Sequence, residues 1–136
     1  MPGEENSVRG GAPGAAGGDG AGRSAADWFW EAERLTDAGD HEGAVKAFRE
    51  GLESDPGNVV SLNNLSMELM TLGRHGEADV ELRRALALAP EDPEVLFNLG
   101  HVLRSLERAP EAADAYEAFL RVNPGSEDAP RIREWV

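Results

Sequence analysis

The sequence predicts an all-α fold made of three tandem helical units. Three observations carry that expectation. Residues 59–92 superpose on 25–58 and on 93–126 by a shift of 34, without gaps. Equivalent columns then match. Trp28, Leu62 and Leu96 share one slot, as do Leu35, Leu69 and Leu103, and Leu52, Leu86 and Leu120. Small residues recur at Ala32, Ser66 and Gly100 and at Ala44, Ala78 and Ala112, facing bulky ones at Phe48, Leu82 and Tyr116. Finally, Pro56, Pro90 and Pro124 close the units at one common place. A period of this length marks stacked repeats, because one unit alone cannot bury its apolar face.

The elements follow in order. Residues 1–24 hold half of the glycines in the chain, one branched apolar residue, Val8, and no aromatic. Such a segment cannot offset the roughly 1–2 kcal/mol per residue of backbone ordering, so it reads as a disordered Gly/Ala-rich tail. Gly17, Gly22, Arg23 and Ser24 fall at the spacing of a phosphate-binding loop. That motif requires Lys where Arg23 stands and a strand before it, and neither is present, so nucleotide binding is not expected.

In the first unit, Ser24 caps a helix over about 25–38, with Asp27 favouring its positive end. Gly39 ends it, Asp40 caps a second helix over 41–54, and Pro56 stops that one. Ala32 and Ala44 let the pair approach, while Trp28, Leu35, Phe48 and Leu52 fill the space between. In the second unit Asn58 caps 59–72, Gly73 ends it, and the partner helix spans 75–88. In the third, Asp92 and Pro93 open a helix reaching about 106. The connector Glu107-Arg108-Ala109 lacks the glycine of its counterparts, which predicts a tighter or shifted turn before the helix at 109–122. Ile132, Trp135 and Val136 lie at helical spacing, so residues 127–136 read as a short capping helix, with Pro130 in its first turn and Trp135 over Ala115 and Phe119.

Composition removes several functions. The formal charge is −13, which argues against nucleic-acid binding, since phosphates are met by clustered Lys and Arg. The repeats carry 20 acids against 9 bases, and this excess serves either solubility or a basic partner. With no cysteine, disulfides, thiolate metal sites and thiol catalysis are out. No apolar run approaches the ~20 residues of a membrane span, and the N-terminus lacks a secretory pattern. A cytoplasmic location is expected. His41, His75 and His101 show no i, i+4 ligand spacing, so no metal is expected, nor any other cofactor.

The period, the small-residue columns and the closing prolines resemble the tetratricopeptide repeat across residues 25–126. The resemblance implies a right-handed α-solenoid of three helix–turn–helix units (25–58, 59–92 and 93–126) ending in the short C-terminal capping helix. It also implies that the first helices line a concave groove. The slots facing that groove hold Phe29, Trp30, Glu33 and Asp37, then Val60, Asn63, Asn64, Met67, Met70 and Thr71, then Glu94, Phe97, Asn98, His101, Arg104 and Ser105. Phe29 and Trp30 serve either as an N-terminal cap or as an aromatic platform for a peptide. Asn64 and Asn98, one unit apart, form either an asparagine ladder that pairs with an extended backbone or merely solvated positions. Some family co-chaperones grip a carboxyl terminus with lysine, arginine and asparagine. Their slots here hold Phe29, Glu33, Asn64, Glu94 and Asn98, with none of the cations. The expected partner is therefore an extended peptide of basic or apolar character, bound by a non-enzymatic adaptor. The alternatives are a protein that self-associates by stacking through its ends, and an accessory repeat subunit of an enzyme carried on another chain.

Overall fold

A computed structural model describes residues 22–136. Among the described residues there are seven helices and no strand: α1 Ala25–Asp37, α2 His41–Ser54, α3 Val59–Thr71, α4 His75–Leu88, α5 Pro93–Ser105, α6 Ala109–Val122 and α7 Ala129–Trp135. The fold is an all-α helical repeat. α1, α3 and α5 begin 34 residues apart, and so do α2, α4 and α6. None of these helices is long and apolar enough to cross a membrane. The chain divides into two compact units, the first ending at Ser61 and the second starting at Leu62.

In the first unit α1 packs on α2. Ser24 starts α1 with a reciprocal cap: its hydroxyl accepts from the Asp27 amide at 3.1 Å, and the Asp27 carboxylate accepts from the Ser24 amide at 2.9 Å. Most of the expected tail lies outside the described residues. Its end is ordered, with the Arg23 guanidinium 4.1 Å from the centre of the Trp28 ring. Ala32 and Ala44 are both fully buried at the helix crossing, with Phe48 and Leu52 beside them. Trp28 and Leu35, expected between the helices, keep partial exposure. Phe29, also partly exposed, joins them there. Its ring lies 6.4 Å from that of Phe48 and covers Gly51, where a β-carbon would run into the ring. Phe29 therefore contributes to the α1–α2 packing while keeping part of its surface exposed.

The second unit buries Leu62, Leu65 and Leu69 of α3, Leu82 of α4, Leu103 of α5, Tyr116 of α6 and Ile132 of α7. Tyr116 lies over Gly100 so closely that a β-carbon there would stand 2.5 Å from the ring. α5 packs against both α4 and α6. The Asp92 carboxylate caps α5 by accepting from the amides of Glu94 and Val95. α4 and α6 instead start at Arg74 and Arg108, which have no capping oxygen. Each arginine pairs three residues ahead, with Glu77 and with Glu111.

The turn at Glu107 differs from expectation. It is neither tighter nor shifted. The amide of Glu107 bonds the Arg104 carbonyl and that of Arg108 the Leu103 carbonyl, matching the bonds made by Gly39 and Asp40 and by Gly73 and Arg74. Glu107 adopts the left-handed conformation itself, at φ 61°, where the glycines have 82° and 77°. The stacking of the flanking helices fixes the turn and the side chain accommodates it.

α7 begins at Ala129, two residues later than expected, with Pro130 in its first turn. Its anchor also differs. Trp135 packs on Tyr116 at 5.2 Å and on His101 at 5.6 Å between ring centres, rather than on Ala115 and Phe119. Of the spaced residues Ile132, Trp135 and Val136, Ile132 is buried, Trp135 is partly exposed and Val136 is 47% exposed just past the helix end.

Candidate functional site

The second unit contains an open trough of about 450 Å³ between α3 and α5. α3 supplies Asn63, Asn64 and Met67; α5 supplies Glu94, Phe97 and Asn98. Each triplet places its side chains on one face, because residues three and four apart share a side of a helix.

Asn63 is almost fully buried, and its carbonyl oxygen accepts a 2.9 Å bond from the Asn98 amide. The asparagine ladder is thereby modified: Asn98 directs its amide toward Asn63 rather than standing as a free equivalent of Asn64. Asn64 is half-exposed and makes no hydrogen bond through its side chain among the described residues. Its amide keeps both donor and acceptor for a ligand. Met67 is 47% exposed, an adaptable apolar wall beside it. Among the described residues Glu94 is exposed without an ion pair, and no cation lines the trough.

Phe97 forms the opposite wall and is backed by α6, with ring centres 5.3 Å from Phe119 and 6.5 Å from Tyr116. On its other side the His101 ring stands edge-on at 4.4 Å. The Tyr116 hydroxyl lies 3.2 Å from Nδ1 of His101. Burial pushes the His101 pKa below the usual histidine value, and the Arg104 and Arg131 cations push the same way against an opposing pull from Asp128. Burial also raises the Tyr116 hydroxyl above its ordinary value.

Five of the sequence-predicted site residues therefore meet in one place: Asn63, Asn64, Met67, Phe97 and Asn98. His101 and Arg104 do not stand free in the groove. The Arg104 guanidinium lies 3.9 Å over the Trp135 ring, and His101 is half-buried beneath the same indole. Both were expected to face a partner; each touches Trp135 of α7, with His101 partly exposed and Arg104 exposed. Met70 is half-buried and outside the trough lining. Trp30, 40% exposed, and Glu33 stand on α1 in the first unit. Tyr116 and Trp135 back the site although sequence reading gave them only packing roles; no local signal ties them to Phe97 and His101. Among the described residues no group of three His, Asp or Glu could hold a metal ion.

Comparison with known proteins agrees with this architecture. Residues 63–127 match the sequence model of the tetratricopeptide repeat family. The chain is 28% identical over 97 residues to small glutamine-rich tetratricopeptide repeat-containing protein 2 of Mycosarcoma maydis, and 31% identical over 85 residues to the STIP1 homolog of Dictyostelium discoideum. These alignments take in 71% and 62% of this chain, which spans only 28% and 15% of those relatives. Among solved structures, the first tetratricopeptide domain of Spaghetti (RPAP3), bound to the HSP90 peptide SRMEEVD, superposes with a TM-score of 0.76 at 21% identity. That match covers 82% of this chain and 89% of the other.

Proposed function

Since the chain is a tetratricopeptide repeat protein, we propose that it is a non-enzymatic adaptor holding an extended segment of a partner protein in the α3–α5 trough. The observation that carries this reading is the composition of the trough: an exposed Met67, the Phe97 wall, and an Asn64 amide and a Glu94 carboxylate that have no partner among the described residues. The amide suits a peptide backbone, the two apolar walls suit an aliphatic side chain, and Glu94 suits a lysine or arginine. The Spaghetti domain was solved with an acidic peptide. Here the lining offers a carboxylate and no cation, which favours a basic or apolar segment. Residues 25–126 are the proposed binding domain, and the cytoplasm the proposed compartment.

Fluorescence anisotropy with two labelled peptides tests this. One is SRMEEVD; the other carries lysine at its three acidic positions. The lysine peptide is expected to bind at least about tenfold more tightly, a difference of roughly 1.4 kcal/mol. The double variant Asn64→Ala, Met67→Ala should lose that binding while circular dichroism stays unchanged. Tighter binding of SRMEEVD overturns the basic preference, and undiminished binding by the folded double variant overturns the trough as the site. Asn98→Ala is a poorer probe, because it strands the buried Asn63 amide at a cost of about 1–3 kcal/mol.

A further inference from the structure

A second cavity, of about 250 Å³, opens in the same unit among α4, α5 and α6. Its floor is apolar: Leu96, Leu99 and Leu103 from α5, Leu86 from α4, and Ala115 and Ala118 from α6. The space exists because α6 carries alanine at both of the last two positions. One period earlier, the equivalent positions hold the longer side chains of Glu81 and Arg84, joined by a 2.7 Å ion pair. The volume lies below the roughly 300–1,000 Å³ of small-molecule pockets, so it suits a side-chain anchor rather than a free metabolite.

The lip of this cavity is polar and unevenly satisfied. Arg83 is engaged by Asp79 at 2.8 Å and by Glu111 at 3.4 Å. Glu111 is also held by Arg108, whose hydrogen bond keeps the carboxyl below the usual range. Asp114 lines the cavity one helical turn before Ala118, is exposed, and has no ion pair among the described residues. A visiting segment thus meets an apolar floor and, about one turn away, a carboxylate without a cation.

The cavity also stands back to back with the trough. At about 100° per residue, Glu94, Phe97 and Asn98 lie on one side of α5, and Leu96, Leu99 and Leu103 lie roughly 180° around it. Occupants of the two sites do not compete for the same surface of α5.

We propose that the α4–α5–α6 cavity is a second docking site, which takes a partner segment carrying an aliphatic anchor with a lysine or arginine one helical turn away. This deepens the adaptor reading, because a chain with docking sites on opposite sides of one helix can join two partners. The second site stands on its own geometry, and its test is separable from that of the trough.

The probe is a synthetic amphipathic helical peptide with leucines at i and i+4 and lysine one turn from each, beside a counterpart with glutamate for lysine. Methyl NMR of the full chain reads the contact at Leu86, Leu99 and Leu103. The lysine peptide is expected to shift these methyls saturably and the glutamate peptide to leave them unmoved. Asp114→Lys should weaken the lysine peptide by roughly tenfold. Ala118→Met, which fills the cavity, should abolish the shifts with the chain still folded and the trough still binding. Saturating the trough first should change the affinity by less than about twofold. Unmoved methyls with the lysine peptide overturn the proposal. So do shifts that vanish in the Asn64→Ala, Met67→Ala variant but persist in Ala118→Met, since the peptide then sits in the trough.

Discussion

At the scale of the residue, Glu107 separates what a sequence shows from what stacking imposes. Gly39 and Gly73 announced their turns, because glycine is the residue that enters the left-handed region without strain. Glu107 announced nothing, yet it makes the same turn with the same hydrogen bonds. The left-handed conformation costs a side-chain-bearing residue about 1–2 kcal/mol, while glycine costs about 0.5–1 kcal/mol in added unfolded-state entropy. Glu107→Gly is therefore expected to stabilise the protein by about 0.5–1 kcal/mol. A urea midpoint that moves up at constant slope checks this; one that stays put or falls shows that the glutamate side chain compensates its own strain. The trough residues were legible for the same kind of reason in reverse. Asn64 and Met67 are polar or flexible at positions where a packed repeat has no use for them. The buried Asn63 was not distinguishable from Asn64, because burial at adjacent positions of one helix depends on the neighbouring helix.

At the scale of the element, α5 and α7 share one aromatic group. α7 was legible as a helix from the spacing of Ile132, Trp135 and Val136, but its seat on His101, Tyr116 and Arg104 depends on three-dimensional packing. His101 gives that seat a pH dependence. Its folded pKa lies below the unfolded value of about 6.5, so the unfolded chain takes up the proton first. Stability contributed by the neutral ring is complete above about pH 6.5 and is lost as the pH falls from there toward the folded value. Urea midpoints compared at about pH 7.5 and about pH 5.5 should fall for the wild type and fall less for His101→Gln, which keeps an acceptor for the Tyr116 hydroxyl. Equal falls in the two proteins would place the sensitivity elsewhere.

At the scale of the whole molecule, the period of 34 and the matched columns made the helical repeat legible, since each unit repeats one solution to burying a helix pair. The α4–α5–α6 cavity was not legible, because it depends on what Ala115 and Ala118 fail to fill. The charge of −13 acts at this scale too. It should speed the arrival of a lysine-bearing peptide, so stopped-flow association rates are expected to drop several-fold between about 0.01 and about 0.15 M salt, as the screening length shrinks from about 30 to about 8 Å. Salt-independent association would show that contact chemistry alone recruits the peptide. The buried bond from Asn98 to Asn63 has a consequence of a different kind. Phe29, Asn63 and Phe97 occupy one equivalent slot, and only the middle one carries an amide. Its mate is supplied by the repeat that follows. A chain rebuilt so that the third repeat no longer follows the second would bury that amide without a mate, at about 1–3 kcal/mol. The second and third repeats are thus not interchangeable parts, and a single hydrogen bond marks which follows which.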